Sequence, residues 1–206
     1  MKFTKFIPLV CALALTVPAF AATNADSNVY DLVVPEYFNI TNEAMENTGA
    51  TVTIGDDMSS LSYSPAYGVT YGVVNNKPGK VFYVKATAVG ANTVKAFNSD
   101  CTVIAFANDT VKPTDAAIEE VLKASPAKAS SANAIAFQFT RDAITPDEGV
   151  APTVTPTAQE LVYTAGPGSF HIPFTIGTNA VTNTFSSHDA AGTYKATITI
   201  TDVATP

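Results

Sequence analysis

Few side chains in this chain can do chemistry. His171 and His188 are its only histidines, and Cys11 and Cys101 its only cysteines, in 206 residues. The run Ser186-Ser187-His188-Asp189 holds the residue types of a nucleophile, a base and an orienting acid. Immediate neighbours in one loop cannot stack in the order that acyl transfer needs, and no G-x-S-x-G turn presents the serine. The run reads as a cap or turn, and the chain as no enzyme. His171, between Phe170 and Ile172, fits the polar face of a strand. No C-x-x-C or H-E-x-x-H spacing offers a zinc site. Asp56-Asp57 and Asp147-Glu148 lack the alternating loop and distal bidentate Glu of a calcium-binding EF-hand. Gly166-Pro167-Gly168 is a turn, because Pro167 has no N–H to give a phosphate. Neither a metal nor a cofactor is expected.

The aromatic residues offer more. Tyr63, Tyr67, Tyr71 and Tyr83 cluster around Ser64-Pro65-Ala66 and Gly68. A tyrosine on a strand can stack on a sugar ring while its hydroxyl stays wet, so these four form a candidate sugar platform. In a strand Tyr67 and Tyr71 share one face. The competing role for such tyrosines is to close the rim of a sandwich core. Asn39-Ile40-Thr41 and Asn108-Asp109-Thr110 are glycosylation sequons, and neither is expected to be used behind a bacterial-type export signal.

These residues must be positioned by strands. Charged residues make up 14% of the chain and hydrophobic ones 47%, against roughly a quarter charged in ordinary soluble domains. Thr occurs 28 times and Trp not at all. Such a composition favours a pleated chain with a core. With net charge -7 and a pI near 4.6, the chain repels a phosphate backbone, and no nucleic-acid partner is expected.

Lys2 and Lys5 precede an apolar run from Phe6 to Val17, and Pro18-Ala19-Phe20-Ala21 ends in an A-x-A pattern. Residues 1–21 read as a secretory signal peptide cut between Ala21 and Ala22. The run is shorter than the roughly 20 residues of a spanning helix, so no membrane span is expected after cleavage. Cleavage removes Lys2, Lys5 and Cys11, which leaves nine basic against eighteen acidic residues, a charge of -9, and Cys101 without a partner. An exported fold without an internal disulfide rests on its core. The expected location is secreted or on the cell surface, with periplasmic transit in a Gram-negative cell.

Strands are predicted at 29–34 and 37–41, split by Pro35, and at 51–54. Segments 67–74 and 80–89 read as a hairpin joined by Asn75-Asn76-Lys77-Pro78-Gly79. Cys101–Ala107, the most uniformly apolar segment, is expected to be a central strand with an inert thiol. The one helical signal lies between Pro113 and Pro126, with Thr114 as N-cap and Ile118, Val121 and Leu122 on one face. Further strands are predicted at 134–141, 159–164, 169–176, 180–185 and 192–201, with Pro-rich 145–156 as a connector. The pattern is an all-β chain, an antiparallel Ig-like β-sandwich with one short helix. It forms a single domain over 22–206 whose only candidate internal boundary is near 145–156.

The closing run Gly192-Thr-Tyr-Lys-Ala-Thr-Ile-Thr-Ile-Thr201 resembles the last strand of secreted bacterial surface sandwiches. It is similar to the ends of spore coat U and archaic pilus subunits and of WxL-type cell-surface domains. The resemblance implies a non-catalytic surface protein: a pilus, fibre or coat subunit, or an adhesin, with protein partners or self-assembly. Strand pairing between subunits would then use a donated N-terminal segment anchored by Tyr30, Leu32 and Val34. The alternative role is a carbohydrate-binding module with a glycan on the exposed tyrosines.

Overall fold

The structure is a computed structural model describing residues 32–46, 51–54, 61–64, 67–123, 133–177 and 189–204. Residues 1–31, with the cleavage site Ala21–Ala22 and Tyr30, and the expected strand at 180–185 lie outside that set. The chain divides into two units, Met1–Pro35 and Glu36–Pro206. In the first, residues 32–35 are described and belong to no strand.

The second unit is built from strands β1 (Phe38–Glu46), β2 (Thr51–Ile54), β3 (Leu61–Ser64), β4 (Tyr67–Asn75), β5 (Lys80–Val89), β6 (Thr93–Lys95) and β7 (Val103–Asn108). Helix α1 (Asp115–Leu122) follows, then β8 (Ala134–Arg141), β9 (Thr145–Gly149), β10 (Thr153–Thr157), β11 (Glu160–Ala165), β12 (Gly168–Gly177), β13 (Tyr194–Lys195) and β14 (Thr197–Thr201). Among the described residues one sheet runs β1-β4-β12-β8-β7-β13, with β9 also on β12. A second runs β10-β11-β5-β14, with β6 also on β5, and β2 and β3 pair separately. Every pairing is antiparallel. The two large sheets enclose one core, in agreement with the expected all-β sandwich and single short helix.

Alternation builds that core. Phe82, Val84, Ala86 and Ala88 of β5 are buried while Tyr83, Lys85 and Thr87 point outward. Phe82 stacks on Tyr163 of β11 with ring centres 5.0 Å apart. Phe139 joins Phe97 at 4.7 Å and Phe174 at 5.1 Å. Helix α1 forms where Thr114 Oγ1 accepts the Ala117 N–H at 3.2 Å. It buries Ala117, Ile118, Val121 and Leu122, the face expected from their spacing, and packs on β7, β8 and β6.

Four expectations are corrected. The segments 67–74 and 80–89 are strands, yet not a hairpin: β4 belongs to the first sheet and β5 to the second. Their five-residue link crosses between layers, steered by the buried Asn75 side chain, which donates to Lys77 O and Gly166 O and accepts the Lys77 N–H. Residues 145–156 are no connector, because they supply β9 and β10. Pro146 and Pro156 fit there because both are edge strands, which need no N–H on their open side. Cys101 precedes β7, and β7 lies one strand from the sheet's end rather than at its centre. The final strand, expected as one piece, divides at Ala196: Tyr194–Lys195 pairs with β7 and Thr197–Thr201 with β5.

Pro173 is the instructive case, since it lies within the interior strand β12. Beside β12, β9 pairs with residues 168–171 and β8 with 174–177. The missing N–H falls in the gap between those two ladders.

The β10–β11 turn stores strain. Ala158 and Gln159 have φ of 47° and 65°, the left-handed conformation that a two-residue hairpin turn normally assigns to Asn-Gly. Side chains with a Cβ lose roughly 1–2 kcal/mol per residue there. Replacing the pair by Asn-Gly should therefore raise the free energy of unfolding by about 1–2 kcal/mol in denaturant titrations. An unchanged midpoint would refute strain at the turn.

Candidate functional site

Two polar clusters stand out among the described residues. His171 Nε2 lies 2.8 Å from Asp147 Oδ2, across the β12–β9 pair, and Ser169 Oγ donates to the same oxygen at 3.4 Å. Acyl transfer requires the imidazole between serine and acid, whereas here the carboxylate holds both partners. Asp189 is buried and accepts the Asn133 N–H at 2.7 Å. Asn133 Oδ1 accepts the Ala190 N–H, and Ala190 O accepts from Asn108 Nδ2 and the Tyr194 hydroxyl. This network fastens the segment entering β13 to the ends of β7 and β8. Ser186, Ser187 and His188 lie outside the described residues, as do Asp56 and Asp57. Among the described residues no three His, Cys, Asp or Glu side chains are grouped to hold a metal.

Asn108 is fully buried, with its Oδ1 accepting from Thr110 and Val111 N–H. The folded chain therefore presents no glycosylation acceptor there. Asn98 plays a similar part before β7, accepting from Thr102 and Val103 N–H. An Asn or Asp closing its own turn is a sequence signal, though a weak one.

The four tyrosines do not form one platform. Tyr71 is 9% exposed, lies edge-on to Phe174, and donates its hydroxyl to Ile198 O at 3.4 Å. It faces the core on the same strand face as buried Val69 and Val73 of β4. Tyr63 lies in β3, and Tyr67 begins β4 opposite Ile176. Tyr83 belongs to the other sheet and points outward, with the Lys85 ammonium 5.2 Å from its ring centre.

Of the predicted donor segment, residues 32–34 are described and belong to no strand. Leu32, Val33 and Val34 are 90%, 83% and 69% exposed, and among the described residues pairing begins at Phe38. Tyr37 leads into that ladder, its N–H donating to Asn76 Oδ1 at 2.6 Å.

The two sheets treat their edges unequally. Natural sandwiches blunt an edge with charge, Pro, a bulge or shortness. β1 has a register shift between Asn42 and Ala44, at Glu43. β9 carries Pro146, Asp147 and Glu148, β10 carries Pro156, and β6 and β13 span three and two residues. β14 carries none of these devices over Thr197-Ile198-Thr199-Ile200-Thr201. Among the described strands it pairs only with β5. Ile198 and Ile200 pack on the core yet stay partly exposed. The strand end is held in place: Lys80 Nζ bonds Asp202 at 2.9 Å, and Lys85 Nζ donates to Val203 O at 2.9 Å. The lysine hydrogen bond lowers the Asp202 pKa below the usual carboxylate range. Its hold is present at neutral pH and is lost as acid protonates Asp202.

Comparison of the chain with protein-family models, with curated proteins and with solved structures finds no match.

Cys101 supplies a direct check on the core. Its side chain is fully buried at φ 55°, and burial pushes the thiol up to about 12. The native protein should leave a thiol reagent unreacted at pH 8, and one equivalent should react per chain once denatured, after removal of residues 1–21. Between the ordinary thiol value of 9.0 and about 12, unfolding releases the thiol proton, so this group makes stability fall as pH rises. Rapid labelling of the native state would contradict the burial.

Proposed function

We propose that the chain is an exported, non-catalytic structural protein of a cell surface, a subunit of a pilus, fibre or coat or an adhesin, that assembles by pairing strands between copies. The observation that supports this reading best is the unblunted β14 edge. A row of edge N–H and C=O groups without charge, Pro or bulge is a template for another strand. Five alternating Thr and Ile residues give that strand regular main-chain partners, and the half-covered Ile198 and Ile200 leave apolar surface to bury against it.

The same chain carries a matching donor. Leu32 and Val34 alternate along an apolar segment that the fold leaves exposed, and they are the anchors that strand addition uses at every second residue. Each copy would give its segment to the β14 edge of the next. A head-to-tail contact of this kind does not close on two subunits and propagates into a fibre or ring. Burying two such side chains contributes roughly 1.5–3 kcal/mol each, which adds to the main-chain bonds.

Sedimentation of residues 22–206 over increasing concentration tests the reading. Wild type should form multimers, whereas deletion of 22–34 and, separately, Thr199→Lys should leave monomers that still melt cooperatively. Thr199 is exposed and pairs with Lys85 across the ladder, so the lysine should cost no more than about 1 kcal/mol of stability. Wild type that stays monomeric, or variants that assemble like wild type, would count against strand pairing.

A further inference from the structure

The outer face of the second sheet carries one mixed apolar and hydroxyl row. Cross-strand register aligns Thr155 of β10, Val162 of β11, Tyr83 of β5 and Thr201 of β14 in one row. Strands are about 4.8 Å apart, so this row spans roughly 14 Å with an aromatic ring and a valine in the middle and a hydroxyl at each end. Next to it Glu160 and Lys85 stand opposite each other. Their charged atoms are 4.0 Å apart and both side chains are largely covered. They cancel locally in a chain of net charge -7.

The Tyr83 ring is also held. The Lys85 ammonium lies 5.2 Å from its centre, and Lys85 is itself fixed by Glu160 and by the bond to Val203 O. A ring whose position is set before binding loses less entropy when a ligand stacks on it. One face of the ring takes the cation, which leaves the rest of its apolar surface to a ligand lying along the row.

We propose that this row binds a neutral polysaccharide, an extended chain of pyranose rings running across the strands. Tyr83 and Val162 take the C–H face of a sugar ring, and the hydroxyls of Thr155 and Thr201 bond its neighbours. Electrostatics favours a neutral polymer. Excess acid on the protein repels an anionic chain, and the Lys85–Glu160 pair leaves no unmatched charge in the row for an ionic ligand. The row meets the β14 edge at Thr201 and otherwise lies on β10, β11 and β5.

The test is retardation of the full mature chain in native gels containing hydroxyethyl cellulose, with carboxymethyl cellulose as the anionic control. Hydroxyethyl cellulose should retard wild type and Tyr83→Phe. Tyr83→Ala and Val162→Glu should each weaken retardation about tenfold, a change of about 1.4 kcal/mol. Thermal melts check that both variants fold, and Val162→Glu tests the row with the ring intact. An unretarded wild type overturns the proposal, as do folded variants that bind like wild type or stronger retardation by the anionic polymer. Loss of self-association in Tyr83→Ala with glycan retardation unchanged also overturns it, and assigns the face to contact between copies.

Discussion

Ala96 is bonded to both sheets at once. Its N–H donates to Ala86 O of β5 at 2.9 Å, and its carbonyl accepts from Ala105 N–H of β7 at 2.8 Å. Phe97 then bridges Ile104, so the chain leaves one sheet and enters the other without losing its ladder. A buried backbone group without a partner is costly, so crossing a core in this way requires a small residue that satisfies both sides. Ala96 is fully buried, and a larger side chain would have to displace the packed core. The final strand makes the same passage at Ala196, from β7 to β5. The two crossings tie the layers together in a fold whose one cysteine among the described residues is free, and the second of them brings the last strand to the sheet edge as β14.

Sequence reasoning reached the elements better than their partners. Helix α1 was legible because its cap, acidic first turn and apolar spacing all lie within ten residues. Strands β5, β8, β11 and β12 were legible because alternation is local. The hairpin assignment failed because a five-residue turn-rich link looks the same whether it reverses within a sheet or crosses between sheets. What decides it is Asn75, whose bond to Gly166 O spans 91 positions. Pro-rich 145–156 reads as a connector because Pro disfavours a ladder, and only the sheet order shows that edge strands tolerate it.

The proposed assembly surface was legible in its parts and not in its arrangement. The alternation of the last strand stood out, yet nothing in Thr-Ile-Thr-Ile-Thr states that β5 is its one neighbour among the described strands. Tyr71 and Tyr83 looked alike in sequence. Burial separates them, with one bonded toward Ile198 beneath the sheet and the other outward under Lys85. Leu32 and Val34 stood out for their alternation, and the fold adds that they are exposed. The proposed assembly would use two features of one chain, the β14 edge and the apolar segment at Leu32–Val34.

Amide hydrogen exchange on residues 22–206, compared between monomeric and assembled protein, examines this account most directly. Strand pairing predicts that the amides of Thr197–Thr201 and of Leu32–Val34 slow together on assembly, while those of β1, β9 and β10 keep their monomer rates. Assembly that protects β1, β9 or β10 and leaves Thr197–Thr201 unchanged would contradict it.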